Sequence, residues 1–393
     1  MGDRHSYLMS NNMAGSRIVD RARVALLRGG PMTKIAGQAA NFVPGPGVVL
    51  GGLVFATTAL MPVKTAFAAQ EQVFAYSGVQ TALRDEMETL WQRVGHRGRV
   101  LNRDSSVSAS GSGFWLRGVY SDVSADGKTS VGGVANKTGV EYNESDVQIG
   151  YDQELLNERS TTLIAGIFGH YKHLDLTVDD STGTRMAEAD ADGYGGGVSV
   201  SWKRSTGLAD FYSDLIGQIT MWDAKGAGSI AGSGSGSFDV MAYSGSIEGG
   251  LRFSLDESVR LVPQAQLAWR YSDYDKFKDS NGVDIRWKEQ DSLTGRIGIA
   301  LEGGKPVYQG GYGLAGYVIA NLVYDFTDAG SLLANGAKVQ TETTRTKLEG
   351  RVGVNLADDD DGWTFFAEGG VATSITGKNY TGVKGVLGAR WNF

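Results

Sequence analysis

Cysteine is absent from the 393-residue sequence, which excludes disulfide bridges and thiolate metal sites. Proline is scarce, and only Pro263 and Pro306 lie beyond the first part of the chain. Few positions therefore interrupt the hydrogen bonding of a sheet. Long apolar runs are also lacking, because the apolar run at 47–61 is shorter than the ~20 residues of a membrane-spanning helix.

The first 69 residues have the features of an export signal. A basic region precedes the apolar run, and Ala66-Phe67-Ala68 forms a small-x-small cleavage site with Ala69 as an alternative end. A retained inner-membrane anchor is the other interpretation. The segment is longer than an ordinary signal peptide of ~15–30 residues, so either the start codon is misassigned or the signal is extended. Removal of 1–69 changes the formal charge from −7 to −12, which argues against a nucleic-acid partner.

Residues 72–97 are the one clear helical stretch after the signal. Val79, Leu83, Leu90 and Val94 recur at spacings of three and four, which predicts an amphipathic helix. Such a helix packs on a core, joins a short coiled coil or lies in the lumen of a barrel. A Ser/Gly-rich linker follows at 104–113.

Alternation of apolar and polar residues dominates the rest of the chain. In 241–253, one parity carries Tyr243 and Ile247, and the other carries Ser244 and Glu248. This period of two predicts strands, and many are ~10 residues or longer, the length of a tilted strand that crosses a bilayer. The predicted strands are 114–121, 145–153, 161–172, 192–203, 209–222, 240–255, 258–271, 291–302, 311–324, 345–356, 363–373 and 382–393.

The connections between these predicted strands fall into two length classes. The short ones are 154–160, 204–208, 256–257, 303–310 and 357–362. The connections at the other end are long and polar in five cases, at 122–144, 173–191, 223–239, 272–290 and 325–344, and brief in one, at 374–381. Short periplasmic turns that alternate with long external loops are typical of bacterial outer-membrane barrels. The sequence thus predicts an all-β fold, a twelve-stranded antiparallel transmembrane β-barrel, and these patterns leave the place of the N-terminal α-helix open.

Charged residues on the polar parity are expected to face this lumen. They are Arg117, Glu248, Arg252, Arg270, Arg296, Glu302, Arg351, Glu368 and Arg390. Both signs are present, so the set suggests a hydrated or plugged lumen without a single ion selectivity. The chain ends on an aromatic residue, and Gly388, Trp391 and Phe393 fit the terminal pattern of outer-membrane barrels that is read as an assembly signal.

Signals for catalysis or metal binding are weak. His170 and His173 lie three apart on one strand, so they face opposite sides and do not form a joint metal site. We predict no metal site and no cofactor. A barrel hydrolase that pairs His170 with a serine or aspartate of the upper loops is the enzymatic alternative.

Five segments and the helix before them resemble the β-domain of conventional autotransporters, which belong to type V secretion. The segments are FWLRGVYSD, VQIGYDQEL, LIAGIFGHYKH, DADGYGGGVSVSW and the terminal RWNF, and their order and spacing carry the resemblance. It implies a twelve-stranded barrel, a helix through the pore and a role in moving an N-terminal passenger to the cell surface. The resemblance also implies a passenger of hundreds of residues between the signal and the helix, whereas cleavage near residue 69 leaves only a few residues there. We therefore expect either that the passenger is missing from this sequence or that the barrel serves alone.

The expected organisation is a signal peptide at 1–69, a linker and lumenal helix at 70–113 and an autotransporter β-barrel at 114–393. The expected function is an outer-membrane β-domain that anchors and translocates an N-terminal passenger, without enzymatic activity. A stand-alone channel or structural barrel is the alternative. The expected partners are the outer-membrane bilayer, the barrel-assembly machinery and periplasmic chaperones, and the barrel is expected to be a monomer.

Overall fold

The computed structural model describes residues 71–85, 112–158, 160–207, 209–256, 258–288, 291–304, 312–327, 330–358 and 362–393. Its elements are α1 (Gln72–Asp85), β1 (Gly113–Val131), β2 (Val134–Glu158), β3 (Thr161–Asp180), β4 (Arg185–Ser205), β5 (Asp210–Gly228), β6 (Ser235–Ser254), β7 (Val259–Tyr274), β8 (Phe277–Lys278), β9 (Asp284–Lys288), β10 (Asp291–Gly304), β11 (Tyr312–Asp325), β12 (Ser331–Ala334), β13 (Ala337–Glu342), β14 (Thr346–Asp358), β15 (Trp363–Ser374) and β16 (Tyr380–Asn392).

The helix begins at the predicted residue, and the predicted stretch from 86 to 97 lies outside the described residues. No helix in the described part of the chain combines the length and hydropathy needed to cross a membrane.

Twelve of the strands form a closed antiparallel barrel. The order is β1 to β7, then β10, β11, β14, β15 and β16, and β16 pairs with β1 from Gly113↔Asn392 to Ala125↔Tyr380. Closure satisfies the backbone donors and acceptors that an open edge would expose to lipid. The predicted all-β, twelve-stranded fold is therefore confirmed.

The wall of the barrel has an apolar outer surface next to the rim where β1 begins and β16 ends. On β16, Leu387 and Trp391 are exposed, whereas Val386 and Arg390 between them are buried. We call this part the lower tier and the rim at Gly113 the lower rim. The strands here follow the outward-apolar, inward-polar alternation of membrane barrels.

Above the lower tier, the strands continue where the sequence predicted long loops. The predictions of loops at 122–144, 173–191 and 223–239 are wrong, because these residues extend β1 to β6 as tall hairpins. Gly132 and Gly133 both have positive φ and join β1 to β2 in a two-residue turn, which suits the twist of a hairpin.

In these extensions the polarity of the two faces is exchanged, so that apolar residues face inward and polar residues face outward. On β1, Val123 and Ala125 are buried inside, whereas Asp122 and Ser124 face outward. The same reversal places Leu174 and other apolar residues of β3 inside. A polar outside and an apolar inside are the pattern of a water-soluble barrel, so this part does not lie in lipid.

Four short strands complete this second wall, and the predicted loops at 272–290 and 325–344 contain them. β13 pairs with the upper end of β1, and β12, β9 and β8 follow in order. Backbone amides of Asp275 and Ser280 donate to the carbonyl oxygens of Asp239 and Ser235 on β6. We call residues 121–144, 173–192 and 222–240 with β8, β9, β12 and β13 the upper tier.

Candidate functional site

The interior of the upper tier is filled by α1. Val73, Tyr76, Val79 and Leu83 of the helix are at most 1% exposed, and they pack in one apolar cluster with the inward residues of the wall. The ring of Tyr76 lies 5.0 Å from that of Phe277 in an edge-to-face contact. The helix is therefore the core of the upper tier.

Helix α1 approaches the wall closely because it has a glycine at the contact. A Cβ at Gly78 would lie 2.8 Å from Cδ2 of Leu176 and 3.1 Å from Cγ2 of Val178. On the wall, Gly226 gives the same clearance to Tyr76, whose ring atoms would lie 3.0 Å from an added Cβ. Small residues on both surfaces set the distance between helix and strand.

Polar contacts fix the helix to the short strands. The Ser77 hydroxyl lies 2.7 Å from that of Thr341 on β13, and Thr341 lies 2.8 Å from the Thr129 hydroxyl on β1. Gln80 donates through Nε2 to the carbonyl oxygen of Lys288 at 3.3 Å. These bonds satisfy side chains that burial would otherwise leave unpaired.

Charged side chains fill the interior of the lower tier. All nine residues predicted from the polar parity are buried, with exposed fractions of 8% or less. Their partners include both charged and neutral groups. The pairs are Arg117 with Gln148, Glu248 with Arg296, Arg252 with Glu302, Arg270 with Ser272, Arg351 with Glu368 and Arg390 with Asp152.

The largest interior network joins β6, β10, β14 and β15. Arg296 Nη2 lies 3.2 Å from Glu248 Oε2, and Arg351 Nη1 lies 3.1 Å from Glu368 Oε1. Glu349 contacts both arginines. Buried carboxylates stay ionised only when such partners compensate for lost hydration. The network therefore cross-links four strands across the barrel interior.

Two tyrosines in this network lie on the parity that the sequence analysis assigned to the interior without singling them out. Tyr212 donates to Glu248 Oε1 at 2.9 Å, and Tyr317 donates to Glu368 Oε2 at 2.5 Å. Each ring lies over a glycine of the next strand, Gly250 and Gly353, where a Cβ would overlap the ring. An inward glycine directly opposite an inward tyrosine is the sequence signal that predicts this packing.

A second network lies between β1, β2 and β3. Arg117 donates through Nη2 to Gln148 Oε1 at 2.7 Å, and Gln148 donates to Asp146. Lys172 Nζ lies 3.4 Å from Asp146 Oδ2 and 3.2 Å from Glu144 Oε1. Lys172 therefore faces two carboxylates, and the Gln148 amide links Arg117 to Asp146.

Two residues of the terminal motif, Trp391 and Phe393, lie at the lower rim, and Gly388 lies further up β16, opposite Arg117. Phe393 contacts the rings of Phe114 and Tyr151, and Trp391 lies 6.3 Å from Trp363, so these aromatic residues form a girdle. Gly388 has a packing role, since a Cβ there would overlap the ring of Phe366.

The two histidines face opposite sides of β3. His170 is buried in the interior, and its Nε2 lies 3.0 Å from the Thr220 hydroxyl. His173 lies on the outer surface, with Nδ1 2.8 Å from Asp192 and Nε2 3.3 Å from Asp175. Among the described residues, no group of three or more histidine, aspartate or glutamate side chains is arranged to hold a metal ion.

A closed barrel with an apolar outer surface, a charged interior and an aromatic rim defines an outer-membrane β-barrel protein. The family model described as "Autotransporter beta-domain" matches residues 114–370, and the chain belongs to this family. The family is one of transport and adhesion and is not an enzyme family. The prediction from the sequence segments is confirmed.

Related proteins and solved structures agree with this family assignment. The chain is 26% identical over 319 residues to the adhesin BmaC autotransporter of Brucella suis biovar 1 (strain 1330), covering 77% of this chain and 9% of the adhesin. It is 27% identical over 212 residues to the pertactin autotransporter of Bordetella bronchiseptica, covering 53% of this chain and 23% of pertactin. The chain thus spans less than a quarter of the length of either relative.

The fold is similar to that of the transport unit of the autotransporter AIDA-I from Escherichia coli. The TM-score is 0.65 at 15% identity, and the match covers 82% of this chain and 99% of the other. The β-domain of the Bordetella autotransporter BrkA gives a TM-score of 0.54 at 18% identity, with 72% and 99% coverage. The barrel is an outer-membrane translocator domain of this architecture.

Proposed function

We propose that this barrel anchors an N-terminal passenger and delivers it to the cell surface. The placement of α1 carries the proposal. The helix begins beneath the turns of the upper tier, where Gly234 donates its backbone amide to Gln72, whereas β1 begins at the lower rim. The first residue of α1 and the first residue of β1 therefore lie at opposite ends of the barrel, as expected if the chain before the helix is delivered across the membrane.

Surface display tests this proposal. An epitope placed directly before Glu71 in the full chain is expected to be cleaved by protease added to intact cells. A matched chain with the epitope in the lower turn between β6 and β7 is expected to be protected, because the lower rim faces the periplasm in this proposal. Equal protection of both epitopes contradicts the proposed orientation.

The alternative of an open stand-alone channel is less well supported, because α1 occupies the interior of the upper tier. The full chain is expected to show little conductance in a planar bilayer, and deletion of 70–103 is expected to give stable openings. A deletion variant that folds and stays closed contradicts the plugged interior. Gly78→Phe, which enlarges the helix at its contact with Leu176, is a second variant that should raise conductance.

We further propose that residues 1–69 are removed on export, that Gly388, Trp391 and Phe393 are read by the barrel-assembly machinery, and that periplasmic chaperones deliver the chain. A monomer is the proposed state, since β16 pairs with β1 of the same chain. We propose no catalytic activity. The hydrolase alternative rests on His170, and unchanged hydrolysis by His170→Ala argues against it.

A further inference from the structure

A polar cleft of about 540 Å³ opens on the outer surface where the two tiers meet. Its walls come from the end of β11, the connection between β13 and β14, and the turn between β15 and β16. Arg84, in the last turn of α1, lies at its inner side. A volume of this size suits a small ligand or a polar head group.

The cleft exists because the sheet does not continue upward at this side. β11 and β14 pair up to Tyr324↔Thr346, whereas β13 above them turns away to pair with β1. The turn between β15 and β16 closes one side through a hydrogen bond from the Thr344 hydroxyl to the carbonyl oxygen of Thr376 at 2.8 Å. The opening is thus fixed by the change of strand partners between the tiers.

Three cationic side chains line the cleft, namely Arg84, Arg345 and Lys378. Its two carboxylates are already engaged. Asp325 accepts a 2.7 Å hydrogen bond from the Thr294 hydroxyl, and Glu342 Oε2 lies 3.3 Å from Lys378 Nζ. With three cations against two carboxylates, the cleft has a small excess of positive charge.

The hydrogen-bond donors of the Arg84 guanidinium are only partly satisfied among the described residues. Its Nη2 donates to the hydroxyl and the carbonyl oxygen of Thr327. Its Nε is buried and has no hydrogen-bond partner among the described residues. An arginine fork matches the geometry of a phosphate group, so a phosphate in the cleft would accept hydrogen bonds from this guanidinium.

The cationic cleft contrasts with the remaining outer surface of the upper tier. Carboxylates outnumber cations at the outward positions of β1 to β6 in the upper tier, with examples at Asp122, Glu141, Asp175, Asp190, Asp192, Asp223 and Asp239. Anions are repelled from those strands and attracted to this cleft.

The height of the cleft relative to the membrane indicates which anion reaches it. Phe326 and Ile375, which adjoin cleft residues in the sequence, are more than half exposed, and the exposed Tyr324 lines the cleft itself. These residues mark the upper edge of the apolar band, where aromatic side chains lie at the level of lipid head groups. Phosphate on a lipid sugar is the anion that the outer leaflet of an outer membrane holds at this level.

We propose that the cleft binds a phosphate group on the sugar head group of outer-leaflet lipopolysaccharide. Arg84 and Arg345 bind the phosphate oxygens, the threonine hydroxyls accept and donate at the sugar, and the Tyr324 ring lies against its apolar side. This site fixes the barrel to the lipid at one side of its wall, independently of any passenger.

Binding of lipid A to the full chain in detergent tests the proposal. The probes are diphosphoryl lipid A, the same lipid with both phosphates removed, and inorganic phosphate. The variants are Arg84→Gln, Arg345→Gln and their combination. Arg185→Gln and Lys137→Gln are matched controls, because both are exposed cations of the upper tier outside the cleft.

The double variant is expected to bind diphosphoryl lipid A at least about tenfold more weakly, since each charge-assisted bond lost is worth about a factor of ten. The controls are expected to stay within about twofold, and the dephosphorylated lipid should bind like the double variant. Equal loss in the controls, equal binding of the dephosphorylated lipid or full competition by millimolar inorganic phosphate would overturn the proposal. Either single variant serves if the double variant does not fold.

Discussion

The side-chain amide of Gln72 donates a 2.7 Å hydrogen bond to Asp279, although 207 residues separate them in the sequence. Both side chains are buried. Gln72 is the first residue of α1, and Asp279 lies in the turn between β8 and β9. The amide oxygen of Gln72 also accepts from the Gly234 backbone at 3.2 Å. The start of the helix is therefore bonded to two turns of the upper tier.

Asp279→Ala is expected to loosen this end of the helix. The substitution leaves the buried Gln72 amide without its acceptor, which costs about 1–3 kcal/mol. Hydrogen exchange of the α1 amides should then be faster by about five- to a hundredfold. Asp284→Ala, which removes an exposed carboxylate paired with Arg286, is the control and should leave exchange in α1 unchanged.

Gly388→Ala and Gly385→Ala form a matched pair on β16. An added Cβ at Gly388 overlaps the Phe366 ring, whereas at Gly385 it meets nothing within 4 Å. Gly388→Ala is expected to lower the free energy of unfolding by about 1–3 kcal/mol, and Gly385→Ala to change it by less than about 0.5 kcal/mol. Refolding into detergent without assembly proteins measures this packing role alone. Equal stability of the two variants would show that Gly388 is required only as a signal.

Phe393→Ala is expected to impair recognition by the assembly machinery while leaving packing almost unchanged. The Phe393 side chain is 55% exposed at the lower rim, so its removal is expected to cost less than about 1 kcal/mol of stability in detergent. In cells, the amount of assembled barrel should fall severalfold if the terminal residue is read by the assembly machinery. A normal level of assembled barrel in cells contradicts that role.

Arg351→Met tests the interior network. The substitution leaves Glu349 and Glu368 without their shared cation, and both carboxylates are at most 5% exposed. Removal of one partner from a buried pair typically costs about 3–5 kcal/mol. Urea unfolding in detergent measures the loss. Lys203→Met, which breaks the more exposed pair with Asp210, should cost at most about 1 kcal/mol.

Asp256 gives a pH dependence at the lower turn between β6 and β7. Backbone amides of Ser258 and Val259 donate to its carboxylate at 2.7 Å, and these bonds lower the pKa of Asp256 below its usual 3.8. A lowered pKa in the folded state means that the stabilisation is complete above the unfolded value and is lost as pH falls through the folded value. Asp256→Ala should therefore remove part of the stability loss seen below about pH 4. An unchanged acid titration of stability would contradict this assignment.

The lower tier is readable from sequence because lipid and a charged interior impose opposite polarities on neighbouring residues. Leu387 and Arg390 on β16 show this directly. The upper tier is harder to predict, because the inward positions of the same strands are polar within the membrane and apolar beyond it. The run from Ala187 to Asp192 alternates small apolar and acidic residues, yet its high charge resembles that of a loop. A search for alternation in either phase, with Gly132–Gly133 as a turn signal, would have found these hairpins.

The position of the helix depends on contacts that no local pattern specifies. The apolar stripe of α1 is visible at Val79 and Leu83. The surface that covers it comes from strands far along the chain, such as Leu332 and Val339 of β12 and β13. Sequence reasoning predicted the helix and a lumen, and did not predict that an upper tier with its own core encloses the helix.

Strand β1 changes partner along its length, from β16 over Gly113–Ala125 to β13 over Lys128–Val131. Both partners lie in the last third of the chain, whereas its other neighbour, β2, follows after two residues. The hairpin of β1 with β2 can therefore form at once, but both remaining closures carry the entropy cost of very long loops. One strand thus takes part in both long-range closures, the seam in the membrane and the wall that encloses the helix.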